Sequence, residues 1–254
     1  MTAKKIAFYN NKGGMLKTTS TSEIAGILAT QGKKILLIDG DPQGNLSYVF
    51  GHDSDGDEVT LFDILLNNMP KEEVDKVILS VHENIDLIPT NNSLSNLTVN
   101  ISGKPDATKR LGKLLNKYVN DYDYILIDTA PGEDLMLANV FAVVDDLILL
   151  TRLEPLAVKK LKYTLDVTES FSVPVRRIVP TATQLNTATH KAFLEDVRAL
   201  AEVHNTQLTD HTIPQTIKFA EAQGWYGKPL SLVDEAEYSK QKMYYADLVK
   251  ELGY

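Results

Sequence analysis

The chain of 254 residues contains no cysteine, which excludes disulfides, thiolate metal sites and cysteine nucleophiles. It has one tryptophan, Trp225, and no uninterrupted apolar run near the ~20 residues that a membrane helix needs. The start, Met1-Thr-Ala-Lys-Lys5, enters a strand-like run directly and lacks the apolar segment of a secretory signal. Basic residues are in deficit. With 26 Lys and Arg against 34 Asp and Glu, the formal charge is −8, so any nucleic-acid contact must come from a local patch. The five histidines, His52, His82, His190, His204 and His211, have no metal-ligand spacing and read as surface or capping residues. The expectation is a soluble, cytoplasmic protein.

Short apolar runs alternate with helical patterns. Strand candidates are Lys5–Asn10, Lys34–Asp39, Ile85–Pro89, Tyr124–Asp128, Asp146–Thr151 and Arg177–Thr181. Runs such as Ile35-Leu-Leu-Ile38 are continuously apolar, as suits strands covered on both faces. Helical patterns occupy 17–31, 60–79, 106–120, 133–144, 155–170, 188–204 and 236–251. This alternation predicts an α/β fold over residues 1–254, a wound, mainly parallel sheet with helices on both faces and ligands at the strands' C-terminal edge. His52–Glu58 reads as a polar loop and Asn91–Lys104 as a polar, mobile connection.

Between the first strand and first helix stands Asn10-Asn-Lys-Gly-Gly-Met-Leu-Lys-Thr-Thr19. Gly13 and Gly14 let successive N–H groups face an anion, and the following helix adds the positive end of its dipole. Lys17 is placed to reach the β/γ-phosphates of a nucleotide, and the Thr18 hydroxyl to ligate Mg²⁺. One lysine suffices for a single nucleotide, so the additional Lys12 suggests contact with a second nucleotide and hence a dimer. Asp39 and Asp41 follow the second strand in Asp39-Gly-Asp-Pro-Gln-Gly-Asn45, where they either form a solvated turn or organise Mg²⁺ and a water. Asp128, ahead of Thr-Ala-Pro-Gly132, has the position of a Walker B acid.

Lys12-Gly-Gly-x-x-Lys17-Thr-Thr, Asp39-x-Asp41-Pro-Gln-Gly-Asn and Ile-Asp128-Thr-Ala-Pro together resemble the ParA family of deviant Walker A ATPases, in the group that includes Soj and MinD. The likeness continues through Ile213-Pro214, Lys218-Phe-Ala-Glu-Ala222 and Gly227-Lys-Pro229, and so covers nearly the whole chain. It implies a P-loop NTPase fold using ATP and Mg²⁺. Nucleotide binding falls to Lys12, Gly13, Gly14, Met15, Leu16, Lys17, Thr18 and Thr19, with Thr19 on the α-phosphate and Pro214 lining the adenine. Lys12 reaches the partner subunit's phosphates, Lys17 holds those of its own, and Asp41 positions the attacking water. Thr18, Asp39 and Asp128 serve the metal and its waters. The implied function is slow ATP hydrolysis in plasmid or chromosome partition. ATP joins two subunits, the homodimer binds DNA nonspecifically at the nucleoid, and a ParB-like centromere-binding partner stimulates hydrolysis and release. The early first strand is expected to leave no room for an N-terminal helix-turn-helix domain, as in the short Soj-like class.

Two departures stand out. Leu16 replaces the glycine usual before the second lysine. Either its bulk restricts the loop and slows hydrolysis, or Met15 and Leu16 point away and pack against the protein or its dimer partner. Gln215 occupies a place often held by arginine, which leaves DNA contact to Lys159, Lys160, Lys162, Lys191 and Lys218, with Arg176 and Arg177 as further candidates. Lys159, Lys160 and Lys162 begin a helix, where positive charge is mildly unfavourable, so they are better candidates than scattered surface lysines. Trp225, Tyr226, Tyr244 and Tyr245 read as packing residues. The C-terminal Tyr245–Tyr254 has mixed charge and no basic amphipathic face, which argues against membrane docking. The alternative function is a nucleotide-dependent scaffold or regulator with weak or absent hydrolysis, acting on non-DNA cargo. An ATP-dependent small-molecule ligase gives Lys12 no evident role.

Overall fold

The computed structural model describes residues 2–254. Its strands are β1 (Lys4–Tyr9), β2 (Ile35–Gly40), β3 (Leu79–His82), β4 (Ile85–Ile88), β5 (Tyr124–Thr129), β6 (Asp146–Thr151), β7 (Val175–Thr183) and β8 (Ile213–Pro214). They form one eight-stranded sheet in the order β3-β4-β2-β5-β1-β6-β7-β8. All neighbours run parallel except β3 and β4, which form an antiparallel hairpin at one edge. This is the α/β fold expected from the alternation of apolar runs and helical patterns.

The continuous apolar runs have a simple cause. In β1, Ala7 and Tyr9 point into one core while Ile6 and Phe8 point into the other, and β2 splits likewise between Leu36/Ile38 and Ile35/Leu37. Every residue of β2 and of β6 is buried, so neither face leaves room for polar alternation.

The first core is closed by α3 (Leu61–Asn67), α5 (Leu97–Ile101), α6 (Arg110–Leu115), α7 (Leu135–Phe141), α8 (Pro155–Ser170) and α9 (Ala188–Val203). The second is closed by α1 (Lys17–Thr30), α2 (Asn45–Val49), α10 (Lys218–Tyr226) and α11 (Ser239–Leu252), while the one-turn α4 (Lys71–Val74) contributes Val74 to the first. Tyr245, Leu248, Val249 and Leu252 of α11 are buried against the sheet, so the C-terminal helix spends its apolar face inside the fold. Among the described residues no helix is long and apolar enough to cross a membrane.

Several expectations are corrected. The helix expected over 60–79 is broken twice: Asn68 ends α3 in the left-handed region (φ 50°), Pro70 opens α4, and β3 begins at Leu79. The pattern at 106–120 shrinks to a 3₁₀ turn and α6, followed by turns. The segment 91–104 is not a plain loop. It folds into a 3₁₀ turn and α5 because Leu94, Leu97 and Ile101 bury themselves in the first core. Strands β3 and β8 were not anticipated, being four and two residues long.

Candidate functional site: the phosphate loop and its acidic wall

Sheet order decides which side chains meet. With β5 and β6 on either side of β1, the loop after Tyr9 opens between the C-terminal ends of two neighbouring strands. The backbone curls as the sequence predicts at Gly14 (φ 74°). Leu16, the residue preceding α1, is also left-handed, at φ 63° and ψ 29°. A leucine thus adopts a glycine-like conformation at a cost of about 1–2 kcal/mol. Met15 is buried, and Leu16 packs partly against the second core. The loop therefore keeps its curl, with both side chains anchored in the protein.

Removing that strain is offset by the lost packing of Leu16 and by the extra freedom of glycine in the unfolded chain, ~0.4–1 kcal/mol. Leu16→Gly should therefore shift stability by less than about 1 kcal/mol and turnover by less than about threefold. Denaturant titration and phosphate release check both. A tenfold rise in turnover would show instead that the leucine side chain restrains catalysis.

A cavity of 380 Å³ lies over the loop, lined by Gly13 through Thr19 together with Asp41, Gln43, Asn45 and Pro131. Lys17 is buried, its ammonium donating to the carbonyls of Asn10 and Lys12 at 3.4 Å each. Burial pushes the lysine pKa down, while Asp128 and Asp41 pull it back. The Thr18 hydroxyl donates to Asp128 Oδ2 at 2.6 Å. Asp39 and Asp128 stand side by side in the β2–β5 register, both fully buried. Asp39 accepts from Ser47 N (2.8 Å), Ser47 Oγ (2.7 Å) and Asp41 N (3.3 Å). Of the three acids, only Asp41 lines the cavity, with Gln43 N donating to its Oδ1 at 3.0 Å.

Burial pushes the Asp39 carboxyl up to about 7 against the pull of its hydrogen bonds. Asp128 moves upward too, through burial first and then the adjacent Asp39. On the far side of α1, fully buried Glu23 accepts from Leu230 N (2.8 Å) and Ser231 N (2.7 Å), and burial raises it to about 7. These carboxyls hold their protons more tightly folded than unfolded. Their contribution to stability is therefore fully present below the unfolded values of 3.8 and 4.5 and is lost as pH rises through about 7. The nucleotide-free, metal-free protein should melt at least about 4 °C higher at pH 5 than at pH 8. Equal melting temperatures by calorimetry would show that the acids are paired or solvated without a ligand.

The other predicted residues divide. The Lys12 ammonium pairs with Glu154, just beyond β6, and does not line the cavity. Pro214 sits in β8 at the sheet edge, half-buried and away from the cavity lining. Lys160 turns back to the loop, donating to Asn11 O at 3.2 Å, so it is no free surface charge. Lys218 pairs with Glu221 at 2.9 Å. Lys159 and Lys162 are exposed beside a groove shared with Asp196 of α9, and Lys191 is exposed at the start of that helix. Arg176 approaches Asp146 at 4.0 Å, and Arg177 donates to the carbonyl of Arg176. Sequence reasoning assigned no role to Gln43, Asn45 or Pro131, although all three follow the motif acids closely in the chain. Glu154 carries no motif signal, because only the β1–β6 adjacency brings it to the loop.

A family model described as "AAA domain" matches residues 3–179, which hold the loop and all three acids. A "ParA family protein" of Mycoplasma pneumoniae is 30% identical over 97% of this chain and 96% of its own length. The chain belongs to the ParA family. The "Sporulation initiation inhibitor protein Soj" of Bacillus subtilis is 28% identical, covering 98% of both chains. Among solved structures, cobyrinic acid a,c-diamide synthase from Mycobacterium smegmatis with bound ADP and magnesium superposes with a TM-score of 0.82. It is 24% identical over 98% of this chain and 93% of its own, a likeness of fold alone.

Proposed function

We propose that this ParA-family chain is a partition ATPase in which ATP, bound with Mg²⁺ at the phosphate loop, joins two copies into a DNA-binding dimer. One observation carries the reading: Lys17, Asp41 and Thr18, which is held by buried Asp128, line one 380 Å³ cavity over a curled loop. The superposed relative with bound ADP and magnesium supports the choice of ligand.

The oxygen donors at the cavity suit magnesium. Among the described residues no three His, Cys, Asp or Glu side chains form a cage, and magnesium at such sites takes only one or two protein ligands besides phosphate and water. Thr18 would hold it directly, with Asp128 and Asp39 holding its waters, and magnesium there would neutralise charge on the phosphates. The chain does the rest. Lys17 and the loop N–H groups orient the phosphates, and Asp41 positions the attacking water from the cavity wall. Lys12 completes the site of a second copy, and Pro214 borders the base. Hydrolysis is slow until a ParB-like centromere-binding protein docks. Exposed Lys159, Lys162 and Lys191, with Lys218, supply phosphate contacts for nonspecific DNA at the nucleoid in the cytoplasm.

The test is retention of the protein on random-sequence duplex DNA with ATP, with ADP and without nucleotide. Binding should require ATP and weaken at least tenfold between 50 and 200 mM salt. ATP-independent binding, or none, would sink the switch and favour a nucleotide-dependent scaffold for other cargo.

A further inference from the structure

The phosphate loop has a cation that no motif includes. Arg152 is the first residue after β6 and half-buried; its guanidinium Nη2 lies 4.0 Å from where a Cβ on Gly14 would stand. Every other cation near the loop is satisfied: Lys12 by Glu154, Lys160 by the Asn11 carbonyl, and Lys17 by two carbonyls. Arg152 is not. Its Nε is buried with no hydrogen-bond partner, and no carboxylate among the described residues pairs with it, since nearby Glu154 is taken by Lys12. Desolvating part of a guanidinium without a partner is costly, so the arrangement is economical only with an anion bound.

Topology says which anion. Acids Asp39 and Asp128 come from β2 and β5 on one side of β1, whereas Arg152 comes from β6 on the other. Phosphates on the loop would therefore have the metal on one flank and the guanidinium on the opposite flank. On the ATPase reading Thr19 takes the α-phosphate and Lys17 the β/γ-phosphates, which puts Gly14, at the opposite end of the cavity-lining loop from Thr19, towards the terminal phosphate. We propose that Arg152 binds the terminal phosphate of the triphosphate, a second cation of the same chain beside Lys17, and lets the site tell ATP from ADP. This rests on the ATPase reading above.

The experiment measures binding of a non-hydrolysable ATP analogue and of ADP, each with Mg²⁺, to the full chain and to Arg152→Gln, Arg152→Lys and Lys17→Ala. Arg152→Gln should weaken the triphosphate at least about tenfold, the worth of a charge-assisted hydrogen bond, and ADP less than about twofold. Arg152→Lys should recover part of the loss. Without nucleotide, the melting temperature of Arg152→Gln should be unchanged or higher, because an unpaired cation has been removed. Equal loss for both nucleotides, no loss for either, or a melting temperature lowered by several degrees would overturn the proposal and make Arg152 a structural group. If the unmodified chain binds neither nucleotide while Lys17→Ala behaves identically, the ATP-site reading falls, and this one with it.

Discussion

Asp41→Ala is expected to lower ATP turnover by about 10²–10⁴-fold, the usual worth of a group that takes or orients a proton in the transition state. Asp39 and Asp128 cannot substitute. Both are fully buried and committed, Asp39 to Ser47 and the backbone of Asp41, Asp128 to Thr18. Asp41 is the acid that opens onto the cavity, and only one backbone bond, from Gln43, restrains its carboxylate. Its loss leaves Lys12, Lys17 and the loop intact, so ATP binding and ATP-driven dimerisation should persist with the dimer held in its ATP state. Phosphate release measured beside light scattering separates the two effects. Turnover within tenfold of the parent would assign the water to another residue.

The residues that form the loop and line its cavity were legible in the sequence because such a loop is a local device. Strand, glycines, lysine and helix start are consecutive, and their geometry follows from backbone chemistry that composition reports. The Asp39–Asp128 pairing was legible for a related reason. Both acids sit in motifs that carry the family resemblance, which assigned them one site, and the structure supplies the means: β2 and β5 are neighbours, so the acids at their ends stand side by side. Glu154 and Arg152 were not legible. Their approach to the loop depends on β6 lying beside β1, a fact of sheet order with no local signal. The helix expected over 60–79 failed through turn chemistry. Its apolar spacing continues past residue 67, but left-handed Asn68 and Pro70 override periodicity and leave room for the β3–β4 hairpin. Leu16 shows that sequence can raise the right question without its answer. Leucine in a glycine position suggested either a restricted loop or a loop whose Met15 and Leu16 pack against the protein, and the structure has the second: the backbone accepts the strain and core packing of both residues holds it.

Lys12→Ala should abolish ATP-driven dimerisation while leaving ATP affinity of the single chain within about threefold. In the single chain the Lys12 ammonium is paired with Glu154 and stands outside the cavity lining, so it adds little to binding its own nucleotide. On the proposed reading its contribution comes when a second copy offers phosphates, and it must then leave Glu154. The two side chains are 29% and 39% exposed, so solvent screens the pair and its rupture costs no more than about 0.2–1 kcal/mol. A charge-assisted contact to phosphate exceeds that, at about 1.5–3 kcal/mol, so the exchange runs towards the dimer. Glu154→Gln should accordingly tighten ATP-dependent dimerisation up to about fivefold, the opposite sign to Lys12→Ala. Sedimentation with a non-hydrolysable ATP analogue reads both variants on one scale. If Lys12→Ala still dimerises with ATP, the lysine serves only its own subunit. If Glu154→Gln weakens the dimer, the glutamate is part of the interface rather than a competitor for the lysine.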